Sequence, residues 1–378
     1  MCCHCPEAET RDGIVSNHAD TRVVVAMSGG VDSSVAAALL VEQGYDVVGM
    51  MMRLWSEETF GGGIHNRCCT PDQMADARRI AGKLGIPFYV VDTKEVFRNT
   101  IVEFFINQHR DGVTPNPCLE CNRQIRFKFL LEHALALEAD YLATGHYVRL
   151  GRDAAGRYVL RQAVDERKDQ SYVLSVLGQA QLGHALFPVG DYTKPEIREL
   201  AAKFGLPTAS KQDSQDLCFI GDNDYRRFLR DYAPDVMTPG PIVRANGEVL
   251  GEHTGLANYT IGQRKGLGVH SLEPLYVIAV NPVRNALIVG TRDELGQKTL
   301  TAKRVNWVSG ETPTAPFRAA VKIRYKAQPV PALVEPLPDD RMAVTFDEPL
   351  RDITPGQGAV VYAGDVVLGG GVIEKPVI

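Results

Sequence analysis

The chain has 378 residues, 44% of them hydrophobic and 23% charged, with a formal net charge of −5. That length accommodates two or three domains with real cores, and the balance is that of an ordinary globular protein. No apolar run approaches the ~20 residues of a membrane span, and an acidic body excludes a globally basic nucleic-acid binder, so any RNA surface must be a local patch.

Residues 1–20 are polar and aperiodic and read as a flexible extension. They lack the basic patch and apolar core of a secretory signal, which predicts a cytoplasmic protein. Met1-Cys2-Cys3-His4-Cys5 holds metal-binding residue types, but it is short and terminal. The first element is the apolar run Val23–Met27, a buried parallel strand by composition. A helix follows over Ser34–Gln43 and stops at Gly44. Between them lies Ser28-Gly29-Gly30-Val31-Asp32-Ser33. Two glycines let a ligand reach the backbone, and the helix start aims free N–H groups into the gap, so this turn is a phosphate cradle. Ser28 and Ser33 add hydroxyls, and Asp32 is placed to cap the helix or to hold a Mg2+ ion that bridges phosphates. The glycine, lysine and Ser/Thr spacing of a Walker loop is absent, which excludes a nucleotidase of that type.

Asp46–Met52 is a second buried strand, followed by a glycine-rich loop at Gly61–Gly63. Helix over 72–84, strand over 87–91, helix over 94–108, helix over 123–138 and strand over 140–144 then alternate. That alternation predicts an α/β fold with a doubly wound parallel sheet. Gly145 falls just past the last of these strands, at the edge where such sheets bind ligands. From Pro239 onward the pattern becomes short strands between Gly, Pro and Asn turns: 242–250, 276–280, 286–290, 317–325, 342–346, 359–362 and 366–373. The expected organisation is an extension (1–20), an ATP-binding catalytic domain (21–225), a small β-rich linker domain (226–299) and a β-barrel domain (300–378).

Eight cysteines in a chain of this kind argue for reactive or metal-bound thiols rather than a disulfide framework. Cys118 and Cys121 follow the Pro115-Asn116-Pro117 turn at the start of the long helix. The helix dipole and nearby Arg123 would stabilise a thiolate, so Cys121 reads as a nucleophile. Half of a zinc site is the alternative, although no second pair follows. Cys218 alone reads as a buried structural cysteine. Cys68 and Cys69 have no assignable role.

The loop Ser28–Ser33 resembles that of the ATP pyrophosphatase (PP-loop) superfamily, which cleaves between the α- and β-phosphates. Further motifs narrow this: Met52-Arg-Leu-Trp55, Pro115-Asn-Pro117 with Cys121-Asn122, Ala143-Thr-Gly-His-Tyr147, Lys168-Asp-Gln-Ser-Tyr172, Cys218-Phe-Ile-Gly221, Tyr259 to Gly268, and Pro355-Gly-Gln357. In this order they resemble bacterial tRNA-specific 2-thiouridylases, from about residue 21 to the end. The resemblance implies ATP-dependent sulfur insertion at C2 of the wobble uridine of tRNAs for Lys, Glu and Gln. It implies ATP contacts from Ala26, Met27, Ser28, Gly29, Gly30, Val31, Asp32, Ser33, Met52 and Gly145. It makes Cys121 the nucleophile and Cys218 the persulfide carrier, with a transient disulfide between them. It implies tRNA contacts from Asn116, Pro117, Cys118, His146, Lys168, Asp169, Gln170, Arg324, Tyr325 and Gln357, and a sulfur donor such as a cysteine desulfurase or relay protein.

Cys118 departs from the resemblance, which often has Asp there. Cys118, Cys121 and Cys218 together would suit a [4Fe-4S] cluster with an open iron, so cluster and persulfide chemistry stand as alternatives. Arg123, Arg126, Lys128, Arg264, Lys265, Lys322, Arg324 and Lys326 are either phosphate contacts or solvated charges. The competing function is a PP-loop ligase or amidotransferase that adenylates a small molecule. It would leave both cysteines and the C-terminal barrel without work.

Overall fold

The computed structural model describes residues 18–57, 71–209, 211 and 217–375. The terminal cysteines Cys2, Cys3 and Cys5, most of the predicted extension, the loop Gly61–Gly63 and the pair Cys68-Cys69 lie outside the described residues.

The first unit begins with β1 (Arg22–Ala26), α1 (Val31–Glu42), β2 (Asp46–Arg53), α2 (Pro71–Leu84) and β3 (Phe88–Asp92). A helical run over 94–110, α3, contains a π-helical stretch at Arg98–Val102. A second run over 117–136, α4, contains another at Cys121–Leu130. Then come β4 (Tyr141–Thr144), a hairpin of β5 (Val148–Arg152) and β6 (Tyr158–Gln162), the short β7 (Ala185–Leu186) and α5 (Lys194–Lys203). The sheet runs β3-β2-β1-β4-β7 with every pairing parallel. Val23, Val24 and Val25 are buried on both faces of it, as a central parallel strand requires. β1 leads by α1 to β2 on one side, whereas β4 lies on the other. The switch point is therefore between β1 and β4.

The middle unit is a four-stranded sheet in the order β10-β11-β8-β9, formed by β8 (Gly240–Arg244), β9 (Val249–His253), β10 (Tyr276–Asn281) and β11 (Ala286–Gly290). The segment 242–250, expected as one strand, is divided into two. Gly247 at φ +89° turns the chain between them.

The last unit comprises β12 (Gln297–Trp307), β13 (Phe317–Lys322), β14 (Val330–Leu337), β15 (Arg341–Leu350), β16 (Gly358–Ala363) and β17 (Val366–Ile373). They run β12-β15-β14-β13-β16-β17, and β12 pairs again with β17, closing a barrel. β14 is absent from the sequence expectations because Pro331 and Pro336 disguise it; its burial nonetheless alternates as a barrel wall must. The β5–β6 hairpin of the first unit joins this sheet through Val366 and Arg161. Among the described residues no helix is long and apolar enough to cross a membrane.

Candidate active site

Everything the sequence marked for phosphate binding collects at the switch point. Gly29 takes φ +70°, and a Cβ on it would stand 2.5 Å from the carbonyl oxygen of Gln73. Gly30 is the N-cap of α1, with no side-chain cap bond. Asp32 therefore does not cap the helix, contrary to one of its two expected roles. Its Oδ1 accepts from the Tyr147 hydroxyl and from Lys194 Nζ, each at 2.7 Å. The Ser28 and Ser33 hydroxyls lie 3.2 Å apart, and Ser33 Oγ accepts from the Ser28 N–H, so the loop is tied across its own mouth. Ala26 ends β1 and Met27 leads into the loop, while half-buried Met52 is the next-to-last residue of neighbouring β2. Gly145 closes the other side: a Cβ there would stand 2.7 Å from the backbone nitrogen of Ser33. Only glycine lets the β4 edge approach the start of α1 this closely.

The thiols belong to a second locus. Asn116 caps α4, its side chain accepting from the Leu119 N–H at 3.3 Å, and Pro117 occupies the first turn. Cys118 is exposed, Cys121 is buried and Cys218 is partly buried, and all three are free thiols. Cys121 sits in an apolar cluster with Phe97, Phe105, Ile125 and Phe219, and Cys218 packs against that cluster. Burial pushes the Cys121 thiol up to about 11, while the Arg126 charge pulls the other way. The protein packed behind Cys118 raises its thiol as well, and Cys218 and Cys121 add to the rise. Two features of the sequence reading are thereby corrected. Burial outweighs the helix dipole at Cys121, and the cation beside it is Arg126, whose Nη1 lies 3.6 Å from Sγ. Arg123 instead pairs with Glu120. On an α-helix residues five apart point about 140° away from each other. The π-helical stretch Cys121–Leu130 includes both residues, and its wider i to i+5 turn brings position 126 round to position 121.

Between the two loci lies His146. It is buried, its Nδ1 2.8 Å from Thr144 Oγ1, and burial with the Arg126 charge drives its pKa down to about 3. The imidazole is neutral, tilted against the Phe127 ring and edge-on to that of Phe187.

The other residues assigned to tRNA are structurally engaged. Asp169 is buried and accepts from Ala163 N, Ser171 N and Ser171 Oγ. Gln170 Oε1 accepts from the Tyr147 N–H at 3.0 Å, while neighbouring Lys168 is half-buried. Gln357 Nε2 donates to the carbonyls of Thr114 and Pro115, so the barrel grips the turn that precedes the cysteines. Arg324 donates to the Ile261 carbonyl of the middle unit and to the Asp352 carbonyl of the barrel. Tyr325 remains partly exposed, its ring 6.1 Å from that of Tyr172.

The three thiols do not form a metal-binding set. Among the described residues no group of three or more His, Cys, Asp or Glu side chains is gathered to hold a metal ion. The arrangement does not fit a [4Fe-4S] cluster on Cys118, Cys121 and Cys218.

A phosphate-gripping turn that has no lysine of its own, set at the switch point of a parallel sheet, marks the first unit as a PP-loop nucleotide-binding domain. Family models match each unit in turn: a tRNA methyl transferase HUP domain over 21–222, a tRNA methyl transferase PRC-barrel domain over 226–291 and an aminomethyltransferase beta-barrel domain over 297–373. The tRNA-specific 2-thiouridylase of Symbiobacterium thermophilum is 50% identical, over 94% of this chain and 93% of its own. Those of Chloroflexus aggregans and Clostridioides difficile are 49% and 45% identical, each over 94% of this chain and 98% of theirs. The chain belongs to the tRNA-specific 2-thiouridylase family.

Proposed function

We propose that this protein is an ATP-dependent tRNA uridine 2-sulfurtransferase acting on the wobble position. The observation that carries the reading is a link through one segment: Gly145 packs against Ser33 of the nucleotide cradle, and the next residue, His146, feels the Arg126 charge that also neighbours Cys121. The chemistry requires both. The C2 oxygen of uracil is a poor leaving group, so it attacks the α-phosphate of ATP, pyrophosphate departs, and the oxygen becomes part of an AMP leaving group. The terminal sulfur of a Cys218 persulfide attacks C2 and AMP leaves. Cys121 then attacks Cys218 Sγ, forming a Cys121–Cys218 disulfide and freeing the 2-thiocarbonyl. An external thiol reduces that disulfide, and a cysteine desulfurase or a relay protein reloads Cys218. Asp32 is the carboxylate suited to Mg2+, which would screen the phosphates as pyrophosphate leaves.

The target base must leave the anticodon stack to reach C2 chemistry. Asn116, Pro117 and Cys118 form the turn that opens the cysteine-bearing helix, and Tyr325 offers a partly exposed ring for stacking. The substrates are the tRNAs for Lys, Glu and Gln. Small-molecule ligation leaves the thiol cluster unexplained.

The test is nucleoside mass spectrometry of unmodified tRNA incubated anaerobically with the protein, ATP–Mg and a persulfide donor. The expected product is 2-thiouridine at position 34, formed with AMP and pyrophosphate by iron-free protein. Absence of product despite ATP binding returns the argument to small-molecule ligation. Activity that tracks bound iron and acid-labile sulfide overturns the persulfide route.

A further inference from the structure

Lys194 breaks two local rules at once. It opens α5, where the positive end of the helix dipole disfavours a cation. Its side chain is also only 10% exposed, an expensive place for an ammonium unless something compensates. Residues that violate local preference without local compensation concentrate at functional sites. Here the compensation comes from 162 positions away: Nζ lies 2.7 Å from Asp32 Oδ1, in the second position of α1 and inside the phosphate cradle. The Tyr147 ring lies beneath the ammonium, with its centroid at 5.8 Å.

The cradle sequence carries no cation of its own, yet it has to accept a nucleotide polyphosphate. Resting on the ATP reading above, we propose that Lys194 is a phosphate-binding cation of this site, parked on Asp32 until nucleotide arrives. When metal-bound nucleotide enters, the divalent ion takes the Asp32 carboxylate and the ammonium passes to the phosphates next to it. The exchange is easy because the Tyr147 hydroxyl donates to the same Oδ1, so that oxygen keeps a donor after the lysine leaves. The backbone of α5 does not have to move. Its N-terminus is held by the Thr193–Glu196 capping box and by the Lys194 N–H donating to Asp165. Lys211 has a different duty: its Nζ bonds the Gly29 carbonyl and Asp76, bracing the loop against α2.

Calorimetric titration of Lys194→Met and Lys194→Arg with ATP–Mg, AMP and adenosine separates this role from simple charge pairing. Lys194→Met is expected to weaken ATP–Mg and AMP by roughly tenfold or more, the loss of one charge-assisted hydrogen bond, and to leave adenosine within about twofold. Lys194→Arg keeps phosphate binding within about threefold of wild type. If Lys194 merely neutralises Asp32, Lys194→Met frees a carboxylate for the metal and binds ATP–Mg as well as wild type or better, which overturns the assignment. Should Lys194→Met fail to fold, Asp32→Asn decides. It releases the lysine, so metal-free AMP must bind several-fold tighter than in wild type, and unchanged or weaker binding overturns the proposal. A wild-type protein that binds neither ATP–Mg nor AMP removes the ATP reading itself and this assignment with it.

Discussion

The phosphate cradle and the thiol cluster are linked through the Gly145-His146 segment, yet they are built differently. The cradle is local: six consecutive residues, Ser28 to Ser33, make the turn, and its Ser28, Gly30 and Ser33 groups are tied to one another. The thiol cluster is not. Its turn is gripped by Gln357 from the barrel, its neutral histidine follows β4, and its second cysteine arrives from position 218. A local device tolerates changes elsewhere and fails by steric intrusion. An assembled one fails when any of several distant contacts is lost.

The largest effect should come from the thiols themselves. Cys121→Ser and Cys218→Ser are each expected to lower 2-thiouridine formation by more than about a thousandfold, because in the proposed sequence each thiol forms a covalent bond that a hydroxyl does not replace. ATP binding should stay at the wild-type level. Mass spectrometry of the nucleosides beside ATP titration checks both halves, and a joint loss would mean that the two loci are not separable.

Gly145→Val attacks the cradle instead. Its Cβ would stand 2.7 Å from Ser33 N, forcing β4 and α1 apart. A displacement of that kind costs about a hundredfold in adenylation, since small misplacements of reacting groups are severe. Alkylation of exposed Cys118 by iodoacetamide should proceed at the wild-type rate. A changed rate would show that strain at the cradle reaches the thiols.

How much of this was legible depends on the range of the contacts. The strand, turn and helix of the cradle are written in consecutive residues, and β1, α1, β2 and α2 fall within a few residues of their expected bounds. Asp32 was misread as a possible cap because its partners, Tyr147 and Lys194, are remote. Arg126 was visible only as a generic cation, because α-helical spacing hides an i, i+5 pair and nothing local announces a π-turn. Thr193-Lys194-Pro195-Glu196 carries a legible signal, a helix start with a cation on the wrong end. The barrel's grip on the cysteine turn could not be read at all, since Gln357 and Thr114 are 243 residues apart.

Acid should distinguish the two regions next. His109 lines an apolar cavity with Phe105, Pro117, Leu217 and Tyr259, beside the cysteine turn. Its Nδ1 lies 2.8 Å from the Phe105 carbonyl oxygen, and burial pushes its pKa down to about 4. The folded value lies below that of the unfolded chain, so the native state resists the proton that the unfolded state accepts. Stability is complete above about pH 6.5 and falls as pH drops toward 4, by about 3 kcal/mol at the lower end. Denaturant unfolding of wild type and His109→Met across that range checks it, since the variant should lose this part of the pH dependence. An unchanged profile would place the acid sensitivity elsewhere.

Gln357→Ala offers the finest cut. The side chain has been assigned to tRNA, but its amide is spent on the Thr114 and Pro115 carbonyls, at 3.0 and 3.1 Å. Backbone contacts back it up: the Thr114 N–H donates to the Pro355 carbonyl, and Tyr172 Oη both accepts from the Gly358 N–H and donates to the Gly358 carbonyl. Losing one side chain from such a seam loosens the turn without opening it, so thiolation should fall by roughly three- to tenfold, about one neutral hydrogen bond's worth. If Gln357 acts through the turn, iodoacetamide should label Cys118 at an altered rate in the variant without tRNA present. If it acts on tRNA directly, that rate stays constant and only tRNA affinity drops. The first result makes the barrel a scaffold for the thiols; the second confines it to holding RNA and restores the cysteine turn to its own local contacts.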